Sequence, residues 1–235
     1  MNNRSDTRGA DLILLAGLWL TGRVWDPVVA ELTRLGQHPI VPSLPGVDDG
    51  VTTAGIDEQV SEVAAVDAAD RPVVVGHSAT ATLAWLAADR RPLKVAQVVL
   101  VGGFPGTDGS TYADLAPIVD GVMPFPGWEP FEGPDSADLD PAARDRFAHD
   151  AVPVPAAVAH ATVRLGDDRR FAVPVALVCP EYSPDQARAW LAAGEIPELQ
   201  RTVEVSFADI DSGHWPMISR PVEFARLLDA IVREG

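Results

Sequence analysis

Short, uninterrupted apolar runs recur along the chain and predict the strands of a buried sheet. They lie at residues 12–15, 73–75, 98–101 and 175–178. A strand with one wet face alternates apolar and polar residues, whereas a parallel strand covered on both faces is apolar throughout. The runs therefore indicate a parallel sheet with a layer packed on each side.

Between these runs, apolar residues recur with the spacing of one helix face. The segments that show this spacing contain Val28, Leu32 and Leu35; Ile56, Val60 and Val63; Leu83, Leu86 and Ala87; and Phe224, Leu227, Leu228 and Ile231. Near the C-terminus, apolar and polar residues alternate, which predicts an edge strand over 202–210. Because strand and helix signals alternate along the chain, we expect an α/β fold built as a three-layer sandwich with right-handed crossovers.

Residues 105–170 interrupt this alternation. They contain nine of the 21 prolines, and the pattern supports only short helices there, at 141–150 and 155–165. We interpret this segment as a lid inserted into a core formed by 1–104 and 171–235. A long surface loop is the alternative, although structureless loops of this length are uncommon in compact domains.

Charge and composition narrow the classes of partner. The 235 residues carry a formal net charge of −16, which would repel a phosphate backbone and argues against a nucleic-acid partner. The single cysteine, Cys179, excludes a disulfide framework and a multi-cysteine metal site. The sequence shows no dinucleotide-binding loop, Walker lysine or cluster of metal ligands, so we expect no cofactor and no metal site.

The apolar stretch 12–20 is the one segment that resembles a targeting signal. It is too short to span a bilayer, and its flanks lack the charge and the cleavage site of a secretory signal. We therefore expect a soluble, cytoplasmic protein without a membrane partner. A small-molecule substrate is the expected partner, and both a monomer and a homodimer remain open.

The segment 76–80, Gly-His-Ser-Ala-Thr, stands between a predicted strand and a predicted helix. In this context a serine is held at a sharp turn that lifts its hydroxyl above the sheet, which makes Ser78 the candidate nucleophile. The pattern departs from G-x-S-x-G at Thr80, where a β-branched residue predicts a slightly different approach of the turn to its neighbours. The alternative is that Ser78 only caps the following helix.

His214 is the candidate general base, because an imidazole titrates near neutral pH and accepts the proton of a serine. It lies between the predicted edge strand and the last predicted helix. His77 is adjacent to Ser78 and is expected to point away from it. The other histidines are less well placed: His38, His149 and His160.

Three stretches carry a resemblance to a known family: LLAGLWLTGRVW at 14–25, GHSAT at 76–80 and SGHWPMISRP at 212–221. On these residues the chain resembles the α/β-hydrolase fold superfamily, nearest the esterase and hydroxynitrile lyase-like group and its bacterial relatives. The resemblance extends over 11–232 and is loose in the lid. It implies a mostly parallel six-stranded sheet with a small helical lid.

The resemblance also implies an oxyanion hole formed by two backbone N–H groups, those of Leu18 and Ala79. The usual His-Gly pair of the family reads Ala16-Gly17 in this chain. This change leaves the donors in place, because side-chain identity does not remove an amide hydrogen.

The resemblance places the acid of the triad just past the strand that ends at Cys179. An alignment without gaps puts Tyr182 or Ser183 at its position. Glu181 is adjacent and is the candidate acid, and Asp185 is the alternative, unless it caps the helix that follows. A site without an acid is a third possibility and would be slow, since an unoriented imidazole costs large factors in rate.

Two positions bear on the type of reaction. In plant hydroxynitrile lyases of the group, a lysine follows the catalytic histidine and a threonine stands where this chain has Gly17. Here Trp215 follows His214, and the single lysine, Lys94, lies on the opposite side of the predicted sheet. We therefore expect a serine hydrolase that cleaves a small, mostly apolar carboxylic ester or lactone through an acyl-enzyme on Ser78.

Two alternatives to this hydrolase remain open. One is a lyase or a carbon–carbon hydrolase that uses the same residues, and the other is a non-catalytic ligand-binding protein that keeps the fold. Pocket linings are mostly apolar with a few polar groups. The candidates for the substrate pocket are Trp19, Phe104, Phe125, Trp128 and Trp215.

Overall fold

The computed structural model describes residues 9–65 and 71–234. The strands in these ranges are β1 (Asp11–Leu15), β2 (His38–Ile40), β3 (Val73–His77), β4 (Gln97–Val101), β5 (Val122–Met123), β6 (Val154–Pro155), β7 (Val175–Cys179) and β8 (Val205–Asp209). Six of them form one sheet in the order β2-β1-β3-β4-β7-β8, and all of its pairings are parallel. This sheet confirms the predicted fold class. The strands β5 and β6 form a separate antiparallel ladder.

The helices alternate with the strands along the chain. They are α1 (Asp26–Arg34), α2 (Ile56–Ala65), α3 (Thr80–Arg90), α4 (Pro141–Asp150), α5 (Ala156–Ala159), α6 (Pro184–Ala193), α7 (Pro197–Gln200), α8 (Pro216–Ser219) and α9 (Pro221–Glu234). Short 3-10 turns cover Gly22–Trp25, Glu129–Phe131 and Asp168–Ala172. None of the helices in the described ranges combines the length and the apolar character needed to cross a membrane.

The central strands β1, β3, β4 and β7 are buried along their whole length. Burial of both faces requires a covering layer on each side of the sheet. The helix α1 packs against α9, and α2 packs against α3. The last strand, β8, has a neighbour on one side only and keeps part of its surface exposed. The predicted edge strand is therefore confirmed, although its pairing is confined to Val205–Asp209.

Between β4 and β7 the chain leaves the sheet and forms the segment predicted as a lid. The helix predicted over 141–150 is confirmed as α4, and the Asp140 carboxylate caps it by accepting a hydrogen bond from the Ala143 N–H group at 2.7 Å. Residues 105–170 are called the lid below; both their role as a lid and their boundaries remain a prediction.

The helix predicted over 155–165 is too long, because α5 ends at Ala159. After it, Thr162 pairs with Thr111, and the Tyr112 N–H group donates to the Ala161 carbonyl at 2.8 Å. The β-branched pair at 162 and 163 favours this extended pairing over another helical turn.

A buried ionic cluster joins the end of this segment to the core. Arg170 lies 3.0 Å from Glu198 of α7 and 3.2 Å from Asp89 of α3, and its side chain is 4% exposed. The Asp89 carboxylate also accepts a hydrogen bond from the Gly166 N–H group, and the Trp85 indole donates to Glu198. Because each carboxylate has several donors, the charges are compensated inside the protein.

Replacing Arg170 by methionine should strongly destabilise the protein, because two buried carboxylates lose their cation. Breaking one side of such a buried pair costs about 3–5 kcal/mol. Urea denaturation would measure the loss as a lower midpoint.

Arg201 provides the matched control, because both arginines pack on the ring of Phe171. The guanidinium of Arg201 lies 3.9 Å from the ring centroid, and that of Arg170 lies 4.1 Å from it. Arg201 pairs with Asp168 while its own side chain is 56% exposed, so Arg201→Met should cost less than about 1 kcal/mol. Equal losses in the two variants would contradict the buried cluster as the source of the stability.

Candidate active site

Ser78 occupies a strained turn between β3 and α3. Its backbone φ is 57°, in the left-handed region that non-glycine residues rarely adopt. The Ser78 N–H group donates to the Val101 carbonyl at 2.8 Å. A Cβ at Gly103 would lie 2.4 Å from the Ser78 carbonyl oxygen, so only glycine fits there. Strain at a partly exposed serine above the sheet is the geometry of a nucleophile elbow.

The interpretation of Ser78 as a helix cap is wrong. The residue at the N-cap of α3 is Ala79, and no side chain caps this helix. Thr80, which departs from the usual glycine, turns back toward the strand instead. Its hydroxyl accepts from the His77 N–H group at 2.9 Å and lies within reach of the carbonyl oxygens of His77 (2.8 Å) and Leu15 (3.1 Å). The extra side chain therefore stabilises the turn.

His214 and Glu181 form a hydrogen-bonded pair. Nδ1 of His214 lies 3.0 Å from Oε1 of Glu181, and the two side chains are only 13% and 16% exposed. A Cβ at Gly102, whose φ is +57°, would lie 3.1 Å from His214 Nδ1 and 3.2 Å from Glu181 Oε2. The pair thus packs directly against the end of β4.

Asp185 lies away from the imidazole. Its side chain is 94% exposed and pairs with Arg188 at 2.8 Å. It does not cap α6 either, because Ser183 forms a capping box there with Gln186. Of the two candidate acids, Glu181 is the one that the structure brings to His214.

The structure brings Ser78 and His214 to the same edge of the sheet, where both pack against adjacent glycines, Gly103 and Gly102. Among the hydrogen bonds of the described residues there is none between the Ser78 hydroxyl and the His214 ring. Catalytic hydrogen bonds are often long before the substrate binds. The direct contact between the two groups stays a prediction.

The loop after β1 approaches Ser78 closely. A Cβ at Gly17 would lie 2.6 Å from His77 Nδ1 and 3.2 Å from the Ser78 Cβ. The N–H groups of Leu18 and Ala79 donate to no protein acceptor within residues 9–65 and 71–234. Both N–H groups are therefore free to donate to a ligand, and their role as an oxyanion hole stays a prediction.

His77 packs against the loop of His214, a contact that the sequence did not predict; that its ring points away from Ser78 stays a prediction. It is 1% exposed and lies against His214, with the ring centroids 4.9 Å apart. Its Nε2–H group donates to the His214 carbonyl at 2.8 Å, and no partner binds Nδ1. Burial, with His214 nearby, lowers the pKa of His77 to about 3. The strand that leads to Ser78 therefore also holds the loop of His214 through a neutral imidazole.

The lid holds the other side of the His214 loop. The His214 N–H group donates to the Asp135 carbonyl at 2.8 Å, and the Gly213 N–H group donates to the Asp138 carboxylate at 2.8 Å. Burial raises the pKa of the Asp135 carboxyl, and neighbouring charges contribute, His214 by lowering it and Glu181 by raising it. Asp135 and Asp138 were not predicted from the sequence, because no local motif marks them.

Most of the predicted pocket aromatics lie in one aromatic cluster between the lid and the His214 loop. Edge-to-face and stacked contacts with centroids 5.0–6.1 Å apart join Trp19, Phe125, Trp128, Phe131, Phe147 and Trp215. Phe104 lies outside it, against Tyr182 and Trp190. Trp19 also borders a cavity of about 20 Å³ beside Gly17 and Leu18. Contact of these rings with a substrate remains a prediction.

A larger cleft of about 730 Å³ lies between α4 and the segment after β1. Its lining includes Arg23, Val47, Arg146, Phe147, Val152 and Ile218. Ser78, His214 and Glu181 do not line it, so it is separate from the candidate catalytic residues. The described residues contain no group of three or more His, Cys, Asp or Glu side chains that could hold a metal ion. Burial raises the pKa of Cys179 to about 12, which keeps this thiol protonated.

A family model described as the alpha/beta hydrolase family matches residues 12–227. The chain belongs to this family. The match extends over both parts of the sheet and over the intervening lid, so it covers every residue of the site described above.

One curated relative is the pimeloyl-[acyl-carrier protein] methyl ester esterase of Aliivibrio salmonicida (strain LFI1238), with 30% identity over 103 residues. This match covers 43% of the chain and 39% of that protein, about two fifths of its length.

Solved structures share the fold over nearly the whole chain. An extracellular alpha/beta-hydrolase from a Paenibacillus species is 17% identical, with a TM-score of 0.75, and the match covers 93% of this chain and 97% of that one. The methylesterase MES16 from Arabidopsis is 14% identical, with a TM-score of 0.72 and coverage of 96% and 100%. At these identities the likeness shows the fold alone.

Burying His77 in its neutral form should make stability depend on pH. Unfolded His77 takes up a proton as the pH falls through 6.5, whereas the folded form does so only at a pH near its lowered pKa of about 3. Stability should therefore fall by up to about 1.4 kcal/mol per pH unit below pH 6.5 from this group.

His77→Gln keeps an N–H donor for the His214 carbonyl but does not titrate. Urea unfolding between pH 8 and pH 4 would measure both proteins. The variant should lose less stability on acidification, and the two curves should run parallel above pH 7. Equal slopes over the acid range would show that His77 is not buried as a neutral ring.

Proposed function

We propose that the protein is a serine hydrolase that cleaves a small, mostly apolar carboxylic ester or lactone and needs no cofactor. The observation that carries the proposal is the placement of Ser78, in its strained left-handed turn beside Gly103, and of the His214–Glu181 pair, beside Gly102, at one edge of the sheet. The buried contact of 3.0 Å between His214 Nδ1 and Glu181 supports this assignment, because it leaves Nε2 free to accept a proton.

The proposed reaction has two half-reactions, the formation and the hydrolysis of an acyl-enzyme on Ser78. His214 Nε2 takes the proton of Ser78 as the serine oxygen attacks the ester carbonyl carbon. The oxygen that becomes negative accepts hydrogen bonds from the N–H groups of Leu18 and Ala79. The alcohol leaves with the proton from His214, and the acyl group stays on Ser78. Water then attacks this acyl-enzyme and gives a proton to His214, which passes it to the Ser78 oxygen as the acid is released.

Glu181 orients the imidazole and stabilises its charged form while the proton is held. A carboxylate in this place fixes the tautomer with the proton on Nδ1. Only 16% of the Glu181 side chain is exposed, which limits the water that would otherwise compete for its oxygen atoms.

Two observations support an ester as the substrate class. The relative from Aliivibrio salmonicida that matches over 103 residues is named as a methyl ester esterase. In addition, Trp215 follows His214, and the single lysine of the chain lies in the turn after α3, so no ammonium group stands beside the imidazole in the sequence. The aromatic cluster of the lid supports a mostly apolar substrate.

Treatment with a fluorophosphonate should modify the native protein at Ser78, because the reagent reacts with a serine activated by a base. Peptide mass spectrometry would locate the adduct. Ser78→Ala and heat-unfolded protein are the controls, and neither should be labelled. An adduct elsewhere, or none on the folded protein, would count against the proposal.

Removing the Glu181 carboxylate should slow ester turnover by about 10² to 10⁴-fold, because an imidazole without its orienting acid is largely misplaced. The measurement is kcat for a p-nitrophenyl ester with Glu181→Ala. Asp185→Ala, four residues along the same loop and helix, is the matched control and should turn over like the wild type. The assignment of the acid is wrong if Glu181→Ala retains full activity or if both variants are slowed alike.

A non-catalytic ligand-binding protein is the second candidate. The observation that favours it is that no hydrogen bond joins Ser78 to His214 among the described residues. Such a protein would bind its ligand with equal affinity in the wild type and in Ser78→Ala, and neither would turn over esters. Mandelonitrile, assayed beside the p-nitrophenyl esters, distinguishes a lyase from the hydrolase.

A further inference from the structure

Among the described residues, the hydrogen bonds between the lid and the histidine loop, residues 211–216, all come from one short stretch of the lid, residues 133–139, here called the lid turn. Two backbone N–H groups of the histidine loop donate to it: that of His214 to the Asp135 carbonyl and that of Gly213 to the Asp138 carboxylate, both at 2.8 Å. The lid turn is therefore hydrogen-bonded to the residue that the proposed reaction needs and to its neighbour.

The contact is close and leaves no room for a side chain. A Cβ at Gly213 would lie 2.3 Å from the Asp135 carbonyl oxygen and 2.4 Å from Oδ1 of Asp138. Oδ1 of Asp138 is buried and has no partner, while Oδ2 binds Gly213. Gly213 is the single protein group that hydrogen-bonds this carboxylate among the described residues, so the histidine loop accounts for its orientation.

The lid turn is itself firmly held. Ser136 is fully buried and donates its hydroxyl to the Phe131 carbonyl at 2.7 Å. Arg144 of α4 donates to the Ser136 carbonyl at 2.7 Å. A turn fixed in this way can act as a support for a loop that it contacts.

The opposite side of the histidine loop is supported by the sheet, through the bond from His77 to the His214 carbonyl. The peptide groups on both sides of His214 are thus bound, one by the core and one by the lid. Without the lid bonds, the backbone at Gly213, directly before His214, would have the conformational freedom of glycine.

We propose that Asp138 is a positioning residue: by holding the Gly213 N–H group, it places the His214 imidazole for proton transfer with Ser78. The inference rests on the proposed function, because it assigns His214 the role of base. It makes the lid part of the catalytic machinery, since misplacement of a base by about 1 Å can cost roughly 100-fold in rate.

Three variants test the role of Asp138. Asp138→Ala removes the acceptor, and Asp138→Asn removes the charge but keeps an acceptor oxygen. Asp140→Ala is the matched control. It also removes a lid carboxylate that accepts from a backbone N–H group, at 2.7 Å, but that N–H group belongs to Ala143 of α4 and not to the histidine loop. The readouts are kcat and KM for a p-nitrophenyl ester and the rate of fluorophosphonate labelling of Ser78, each far below the melting temperature.

Asp138→Ala should lower kcat and the labelling rate together, by about 10- to 100-fold, with KM nearly unchanged. Asp138→Asn and Asp140→Ala should stay close to the wild type. Wild-type rates in Asp138→Ala would overturn the proposal. An equal loss in Asp140→Ala would assign the effect to folding of the lid. An equal loss in Asp138→Asn would assign it to the charge of the carboxylate. Either result would overturn positioning through the hydrogen bond.

Hydrogen exchange separates this inference from the proposed function, because it does not depend on catalysis. Mass spectrometry of the peptide over 209–216 should show faster exchange in Asp138→Ala than in the wild type, Asp138→Asn and Asp140→Ala. If no protein turns over an ester but this pattern holds, the hydrolase proposal fails and the support of the loop stands. Unchanged exchange in Asp138→Ala would overturn the support itself.

Discussion

The left-handed backbone of Ser78 is the constraint on which the candidate site depends. Such a conformation costs about 1–3 kcal/mol in a non-glycine residue and persists only where its surroundings hold it. Here the Ser78 N–H group binds the end of β4, and Gly103 lies so close to the Ser78 carbonyl that a Cβ would approach it to 2.4 Å. The buried parallel pairing of β3 and β4 keeps both contacts in register, so the stability of the sheet maintains the strain at the serine.

The same strand end explains why a histidine precedes the serine. His77 donates a hydrogen bond to the His214 carbonyl from a fully buried position, and a permanently charged donor there would pay a large desolvation cost. A neutral imidazole supplies the N–H group without that cost, which fits the lowered pKa of His77. The carboxyl group that binds the His214 ring, that of Glu181, lies instead on its Nδ1 side. The His77 ring therefore fixes the backbone of His214, and the Glu181 carboxylate fixes its side chain.

The sequence predicted what depends on local pattern. Continuous apolar runs identified the buried strands, and the strand–turn–helix context identified Ser78. Sequence favoured Glu181 over Asp185 only because Glu181 is adjacent to the position that the resemblance implies. What separates the two in the structure is how the chain leaves β7, since the capping box at Ser183 directs Asp185 into the solvent. The contact of His77 with the His214 carbonyl was not predicted either, since it depends on where the loop of His214 packs. Asp138 contacts Gly213 across 75 residues, and no periodicity or motif encodes such a contact.

The attachments of the lid also constrain how the protein can move. Its C-terminal end is fixed by the buried Arg170 cluster, and the lid turn is bound to the histidine loop. A motion that lifts the lid turn would break both bonds to the histidine loop and expose the aromatic contacts of Trp215. The cleft between α4 and the segment after β1 has none of its lining residues in the lid turn or in the loop before Trp215. However, α4 lines that cleft and also binds the lid turn through Arg144 and packs on Trp215 through Phe147, so a motion of α4 that widens the cleft would be transmitted to the support of His214.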